Sequence, residues 1–494
     1  MIWAHFPLFL LEKAYKRGCP STNTSVLVFI FYFSEKEGNK MFSKSKRVVG
    51  VLLAVLMLAA VFAGCNGGTG ETSSTGDSGT SSGGSATQIE SVTVDEMMAD
   101  AQIAMGDEDN VTLKVWCPQD ALDVFQKQCD AFVENFKEQG RTITIEVNPQ
   151  GESDAQAQVR TDPDAAADVF GFASDQGLAL FKDEYLLKVN LRYVEPIQET
   201  HMEEAVETAM FQSASDDKAY LYAYPEEGAN SYALFYDKRV LSEDDVKTLE
   251  GIMEVCNAEE KNFLMEMGDG YYGCVIPFTG GGTLDLEDDL ETQILNYDYA
   301  QIGPVAQAFS DLCSTSKFFK NESVNSTIVS GFKNGTHAAG VVGAWKIADI
   351  EGALGENMGV AKLPTINVNG EDKQMISIYG YKYLGVNAKT DFPLTAQSLA
   401  YYLSGEECQK QRTEELRWGP SITSLIESDL VQNDVALKAL YEQQEYSLPQ
   451  KNIVTGFWTP TGTYAAYVVD STKEHDETTM QQQYDDMVEV IEMG

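Results

Sequence analysis

Residues 112–147 read TLKVWCPQDALDVFQKQCDAFVENFKEQGRTITIEV. Thr112–Trp116 has the alternating and then continuous apolar character of a strand. From Pro118 to Gly140, Leu122, Phe125, Cys129, Phe132, Val133 and Phe136 recur at three- and four-residue steps, the period of a helix with one buried face. Gly140 is a stop signal, and Ile143, Ile145 and Val147 then alternate along a second strand, Thr142–Val147. A strand, a helix and a strand in that order predict parallel pairing with a right-handed crossover. Val169–Phe172 supplies a third strand. Tyr232–Tyr236, Val275–Phe278, Ala338–Val342, Met358–Leu363 and Tyr383–Val386 read as further strands, with helices clearest at Pro304–Cys313 and Leu394–Leu403. Ser404-Gly-Glu-Glu407 reads as a capping box opening the next helix. No repeat of 20–50 residues is present, so the pattern predicts an α/β chain with a parallel sheet rather than a solenoid.

Upstream of this region the composition changes twice. Residues 48–62 (VVGVLLAVLMLAAVF) form an uncharged apolar run, preceded by Lys44, Lys46 and Arg47 and followed by Ala63-Gly64-Cys65. That is the layout of a signal peptide, and the run is shorter than the roughly 20 residues of a membrane span. Cys65 after Ala-Gly resembles a lipobox, with Phe62 where leucine is usual, and makes Cys65 the expected lipid-attachment site. Residues 41–64 are therefore expected to be the lipoprotein signal peptide. Residues 1–40 are expected to be an upstream extension that is not translated, with Met41 as the start; Lys36-Glu37-Gly38 can be encoded as AAG-GAG-GGN, a ribosome-binding sequence just before the Met41 codon. Residues 66–88 are nearly all Gly, Ser, Thr and acidic residues, too polar to offset chain entropy by burial. The region 65–107 is expected to be the lipid-attached cysteine and a flexible tether, the low-complexity part spanning about 25–30 Å.

The chain carries 35 Lys+Arg and 76 Asp+Glu; the 8 basic and 3 acidic residues of 1–64 leave 27 and 73 beyond it, a formal charge of −46. Such a polyanion is unsuited to nucleic acid, whose phosphates require a basic surface, and to docking on anionic lipid. The charge serves solubility. Neither Asp285-Leu-Glu-Asp-Asp-Leu-Glu291 nor Gly106-Asp-Glu-Asp-Asn110 has calcium-loop spacing. Cys117, Cys129, Cys256, Cys274, Cys313 and Cys408 are scattered without zinc or CxxC spacing, which leaves disulfides and free thiols both open. No metal site and no cofactor are expected.

Several segments, in order, resemble the maltose/maltodextrin-binding protein family of extracellular solute-binding lipoproteins. They are Leu113-Lys-Val-Trp116, Ala167-Asp-Val-Phe-Gly-Phe-Ala-Ser-Asp175, Ala233-Leu-Phe-Tyr-Asp-Lys238, Gly343-Ala-Trp345, Ser404-Gly-Glu-Glu-Cys-Gln409 and Phe457-Trp458. The resemblance implies a two-lobed periplasmic-binding-protein-like fold of type II, its lobes joined by two or three hinge crossings near Asn230, Tyr379 and Ser421. Lobe one would comprise 108–229 plus 381–420 and lobe two 232–378 plus 422–494. Ligand would sit in the cleft between them.

A pyranose presents an apolar C–H face and a rim of hydroxyls, and so needs aromatic platforms together with amide or charged groups. The resemblance nominates Trp345, Trp458, Phe172 and Phe278 as rings, and Asp175, Asp120, Glu152 and Asn230 as hydroxyl partners. Trp116 and Trp418 read as packing residues. Tyr379, Tyr381 and Tyr383 alternate as a strand does, which suits either a hinge strand or a cleft lining. The family's lysine beside the first aspartate is Ala121 here, its arginine after the second is Gln176, and its tyrosine after the last tryptophan is Thr459. A carbohydrate site follows from the resemblance; maltose itself does not.

The implied function is capture of a sugar or oligosaccharide by the substrate-binding component of an ATP-driven importer. The protein would be held by its lipid anchor on the outer face of the bacterial cytoplasmic membrane. It would act as a monomer with permease and ATPase partner subunits, because the chain has no GxxxxGK[ST] loop of its own. The rival readings are a carbohydrate-active enzyme, which abundant carboxylates would permit, and a sugar sensor or adhesin on the same fold. Beyond residue 64 the only histidines are His201, His337 and His475, isolated from one another, so triads and HExxH zinc sites have no basis and no catalytic residues are expected.

Overall fold

The computed structural model describes residues 104–137, 140–213, 218–287 and 289–493. The readings at residues 1–40, 41–64, Cys65 and the 66–88 tether lie outside the described residues. The flexible stretch expected over 65–107 ends sooner than that: Ala104 and Met105 are buried in a core, and the Ala104 carbonyl accepts a bond from Ser398 Oγ at 2.9 Å.

Strand Val111–Cys117 pairs in parallel with Ile143–Pro149 from Val111↔Ile143 to Cys117↔Pro149. It turns Val111, Leu113, Val115 and Cys117 inward. Helix Leu122–Lys137 covers this pair with Phe125, Cys129, Phe132 and Phe136, while Leu122 and Val133 lie at the margin of the stripe. Gly140, at φ +75°, closes the helix by donating to the Lys137 carbonyl. The sheet runs Ser447–Pro449, Ser377–Val386, Val169–Ala173, Val111–Cys117, Ile143–Pro149, with Tyr224–Asn230 also along Ser377–Val386. It is mixed rather than parallel as expected, because Ser377–Val386 returns antiparallel to Val169–Ala173 and to Tyr224–Asn230.

A second sheet runs Phe319–Lys320, Asn262–Leu264, His337–Gly343, Tyr232–Asp237, Met358–Ala361. Tyr232–Asp237 and His337–Gly343 are buried at every position, the signature of strands covered on both faces. Two separate cores result. The first draws on residues 104–224 and 379–418, the second on 229–378 and 431–491.

The chain crosses from one core to the other between Tyr224 and Ala229, at Ile378–Tyr379 within Ser377–Val386, and between Trp418 and Val431. The passages are tied to one another: Gly228 donates to the Gly419 carbonyl, Asn230 pairs with Gly380, and Ser231 Oγ donates to the Ile378 carbonyl at 2.9 Å. A Cβ on Gly228 would stand 2.3 Å from the Pro420 carbonyl oxygen, so only glycine lets these two passages touch. Tyr379, Tyr381 and Tyr383 are buried here, their hydroxyls bonded to the Gly228 carbonyl, Gln444 Nε2 and the Ala205 carbonyl. They belong to the crossing strand and its packing.

Two local readings are corrected. Val275–Phe278 is not a strand but part of helix Val275–Thr279, buried on all sides; a short, wholly apolar run carries no period by which to tell the two apart. Ser404 does not cap the helix Glu406–Leu416, whose N-cap is Gly405. It ends the preceding helix, Pro393–Ser404, and turns its hydroxyl back to the Tyr401 carbonyl at 2.9 Å. The six cysteines after residue 65 are buried free thiols. Among the described residues, no helix is long and apolar enough to cross a membrane.

Candidate functional site

A cavity of about 540 Å³ lies between the two cores. Its first-core wall comes from the loops after two strands: Gly151, Glu152 and Ser153 after Ile143–Pro149, then Asp175 and Gln176 after Val169–Ala173. These are carboxyl ends of parallel strands, where open α/β sheets leave room for ligands. Asn230, Lys382 and Gln450, on or beside the crossing segments, form the floor. The second-core wall carries Asp269, Tyr271, Asn325, Trp345 and Trp458.

Three rings meet on that wall. The Tyr271 centroid is 6.0 Å from that of Trp345 and 6.4 Å from that of Trp458, with interplanar angles of 43° and 54°. Tyr271 is placed by the Asp269 side chain, which accepts from the Tyr271 N–H and starts the short helix Gly270–Gly273. Trp345 follows strand His337–Gly343 and folds back over it, and a Cβ on Gly343 would stand 2.2 Å from the indole. Trp345 Nε1 donates to Asn325 Oδ1 at 2.7 Å, and the ring is still 37% exposed. Trp458 opens helix Trp458–Val469 and is half-buried.

Polar groups face these rings. Asp175 is half-buried, and desolvation pushes its carboxyl up to about 6 against backbone N–H groups that favour the charged form. Glu152 is buried; its Oε2 pairs with Lys382 Nζ at 3.0 Å, and its Oε1 has no hydrogen-bonding partner. Lys382 also pairs with Glu227 Oε2 at 2.8 Å and lies 4.7 Å over the Trp418 ring. Gln176, where the family has an arginine, pins the Glu152 loop: its Nε2 donates to the Glu152 carbonyl at 2.7 Å, and its Oε1 accepts from the Gln156 N–H at 3.0 Å. Among the described residues, no group of three His, Cys, Asp or Glu side chains is placed to hold a metal ion.

The structure thus brings Trp345, Trp458, Asp175, Glu152 and Asn230 together around one cavity. The other three do not line it. Phe172 is in the first core, against Phe170 and Tyr383, because its strand turns it inward while Ala173 reaches the cavity. Phe278, on a helix rather than a strand, stacks on Phe457 at 6.3 Å inside the second core. Asp120 is exposed on the turn Gln119–Ala121, and it is Pro118 that lines the cavity. Tyr271, Lys382 and Gln450 were not foreseen. Lys382 had a signal, as the one charge within the ten-residue strand SIYGYKYLGV.

The sequence profile of the bacterial extracellular solute-binding proteins matches residues 131–439. The galactooligosaccharide-binding protein of Bacillus subtilis (strain 168) is 27% identical over 360 residues, covering 69% of this chain and 79% of that protein. A chain solved with acarbose superposes with a TM-score of 0.68 at 26% identity, covering 77% of this chain and 98% of that one. The unliganded maltodextrin-binding protein MalE1 from L. casei BL23 superposes with a TM-score of 0.66 at 21% identity, with the same coverage. With its two cores, its tied crossings and a cavity between them, the chain has the two-lobed type II periplasmic-binding fold and belongs to the bacterial extracellular solute-binding protein family.

Proposed function

We propose that the protein captures an oligosaccharide in the cleft between its lobes and delivers it to an ATP-driven importer. The arrangement of Tyr271, Trp345 and Trp458 carries this reading: three rings on one wall, opposite Asp175 and Glu152, match the apolar faces and hydroxyl rim of a short sugar chain. The bodies that close on the sugar are residues 108–229 plus 381–420 and residues 232–378 plus 422–494, turning about Asn230, Tyr379 and Ser421. Closure removes the rings from water and shifts the balance toward the closed state. The galactooligosaccharide-binding and maltodextrin-binding relatives support an oligosaccharide as the ligand. Cys65 supplies the lipid that keeps the protein at the outer face of the membrane, and permease and ATPase subunits complete the transporter. Binding proceeds without turnover.

The test is calorimetric titration of the purified protein with galactotetraose and maltotetraose, followed by chromatography of the recovered sugar. Saturable binding of one of them, recovered intact, is the expected result. Absence of binding to either would overturn the oligosaccharide reading, and shortened products would turn it toward an enzyme. Uptake of the bound sugar should be lost on deletion of the gene; undiminished uptake would remove the importer assignment.

A further inference from the structure

Among the described residues, Lys382 is the only Lys or Arg lining the cavity, against three carboxylates: Glu152, Asp175 and Asp269. It lies on the crossing strand Ser377–Val386 and stands opposite Glu227 of the neighbouring crossing strand in the antiparallel register. Its Nζ is held at 3.0 Å from Glu152 Oε2 and 2.8 Å from Glu227 Oε2, and these carboxylates raise its pKa against the effect of burial. The lysine therefore stays charged, fixed from two sides. An ammonium has three donors, and the two carboxylates occupy two of them. Glu152 Oε1 is buried, turned with Glu226 Oε2 toward Gly171. The remaining N–H of this fixed cation, on the cavity lining, can donate to a sugar hydroxyl.

We infer that Lys382, held by Glu152 and Glu227, is the specificity-determining cation of the cleft, donating to a hydroxyl of an uncharged sugar while the surrounding carboxylates exclude acidic sugars. This rests on the oligosaccharide reading above. A uronate brought to this wall would place its carboxylate among Glu152, Asp175 and Asp269, with the one cation already neutralised by two glutamates. Like charges brought together in a desolvated site cost several kcal/mol, so discrimination of at least about a hundredfold follows.

The experiment compares galactotetraose with tetragalacturonate by calorimetry on the unaltered protein at pH 7, and repeats the neutral titration on K382M and K382R. The expected result is tight binding of the neutral sugar and at least roughly hundredfold weaker binding of the acidic one. K382M should lose roughly ten- to a hundredfold in neutral-sugar affinity, and K382R, which keeps the charge, should lose less. Tetragalacturonate binding as tightly as galactotetraose would overturn the inference and leave the oligosaccharide reading standing. So would a folded K382M with unchanged affinity. Should K382M fail to fold, K382Q, which keeps a donor without the charge, decides for the lysine, and unchanged neutral-sugar affinity in it would overturn the inference. Binding of neither sugar by the unaltered protein, with maltotetraose also inert, removes the oligosaccharide reading and this inference with it.

Discussion

Trp345→Ala separates a ligand platform from a core residue. The indole is 37% exposed, so the part still open to water is what a sugar would cover. A tryptophan offers about 150–250 Å², of which roughly a third is then about 60–90 Å². At about 25 cal/mol per Å² its coverage is worth about 1.5–2.3 kcal/mol. The variant should therefore bind oligosaccharide roughly ten- to fiftyfold more weakly. Folding should change little, because the ring's polar tie is one hydrogen bond to Asn325 at the cleft wall. Trp418 is the contrast: 8% exposed, packed between Phe125 and Lys382, it behaves as a core ring, and Trp418→Ala should cost about 3–5 kcal/mol of stability. Calorimetric titration and a urea melt on both variants are the assay. Unchanged affinity in Trp345→Ala, or a loss of midpoint as large as that of Trp418→Ala, would return Trp345 to a packing role and refute the reasoning.

Glu226 is buried beside Glu152 and Glu227, and burial pushes its carboxyl up to about 8. The unfolded chain releases that proton near 4.3, so between about pH 4.3 and 8 unfolding releases a proton and stability falls as pH rises, by at most about 1.4 kcal/mol per unit. Asp175, at about 6, acts in the same direction lower down, which makes pH 6.5–7.5 the window for Glu226. Glu226→Gln should lose stability less steeply there, and parallel urea-melt profiles for variant and parent would contradict the assignment. Gln176→Ala removes both bonds that pin the Glu152 loop, and should weaken oligosaccharide binding about tenfold with a midpoint shift of about 1 kcal/mol or less; unaltered affinity would show the loop to be held by other means. Cys65→Ala should move the protein from the membrane fraction to the medium or soluble extract, since two acyl chains anchor stably where none remains in the variant. Retention in the membrane fraction would remove the lipoprotein assignment.

Much of the architecture was legible because it is local. The switch from period two to period 3.6 and back over residues 112–147 specifies strand, helix and strand before any tertiary contact is known. The order of the short segments from Leu113 to Trp458 carried the resemblance to a two-lobed binder, and the two tryptophans it nominated stand on the cleft wall. What failed was facing. Phe172 and Ala173 are neighbours on one strand, and which of them meets the cavity depends on where Ser377–Val386 packs, more than 200 residues later. Phe278 was misplaced because a wholly apolar run has no polar side to declare its period. Asp120 stands exposed beside the cavity-lining Pro118 and acts on Glu152 through its charge without lining the cavity itself. Lys382 shows the limit most clearly. A lysine in an apolar strand is legible as an anomaly, but its meaning comes from Glu152 and Glu227, which the chain brings to it from 230 and 155 positions away. Periodicity and polarity are properties of neighbours along the chain. Charge compensation, burial and the shape of a cleft are properties of neighbours in space, and only the packing of the two lobes decides those.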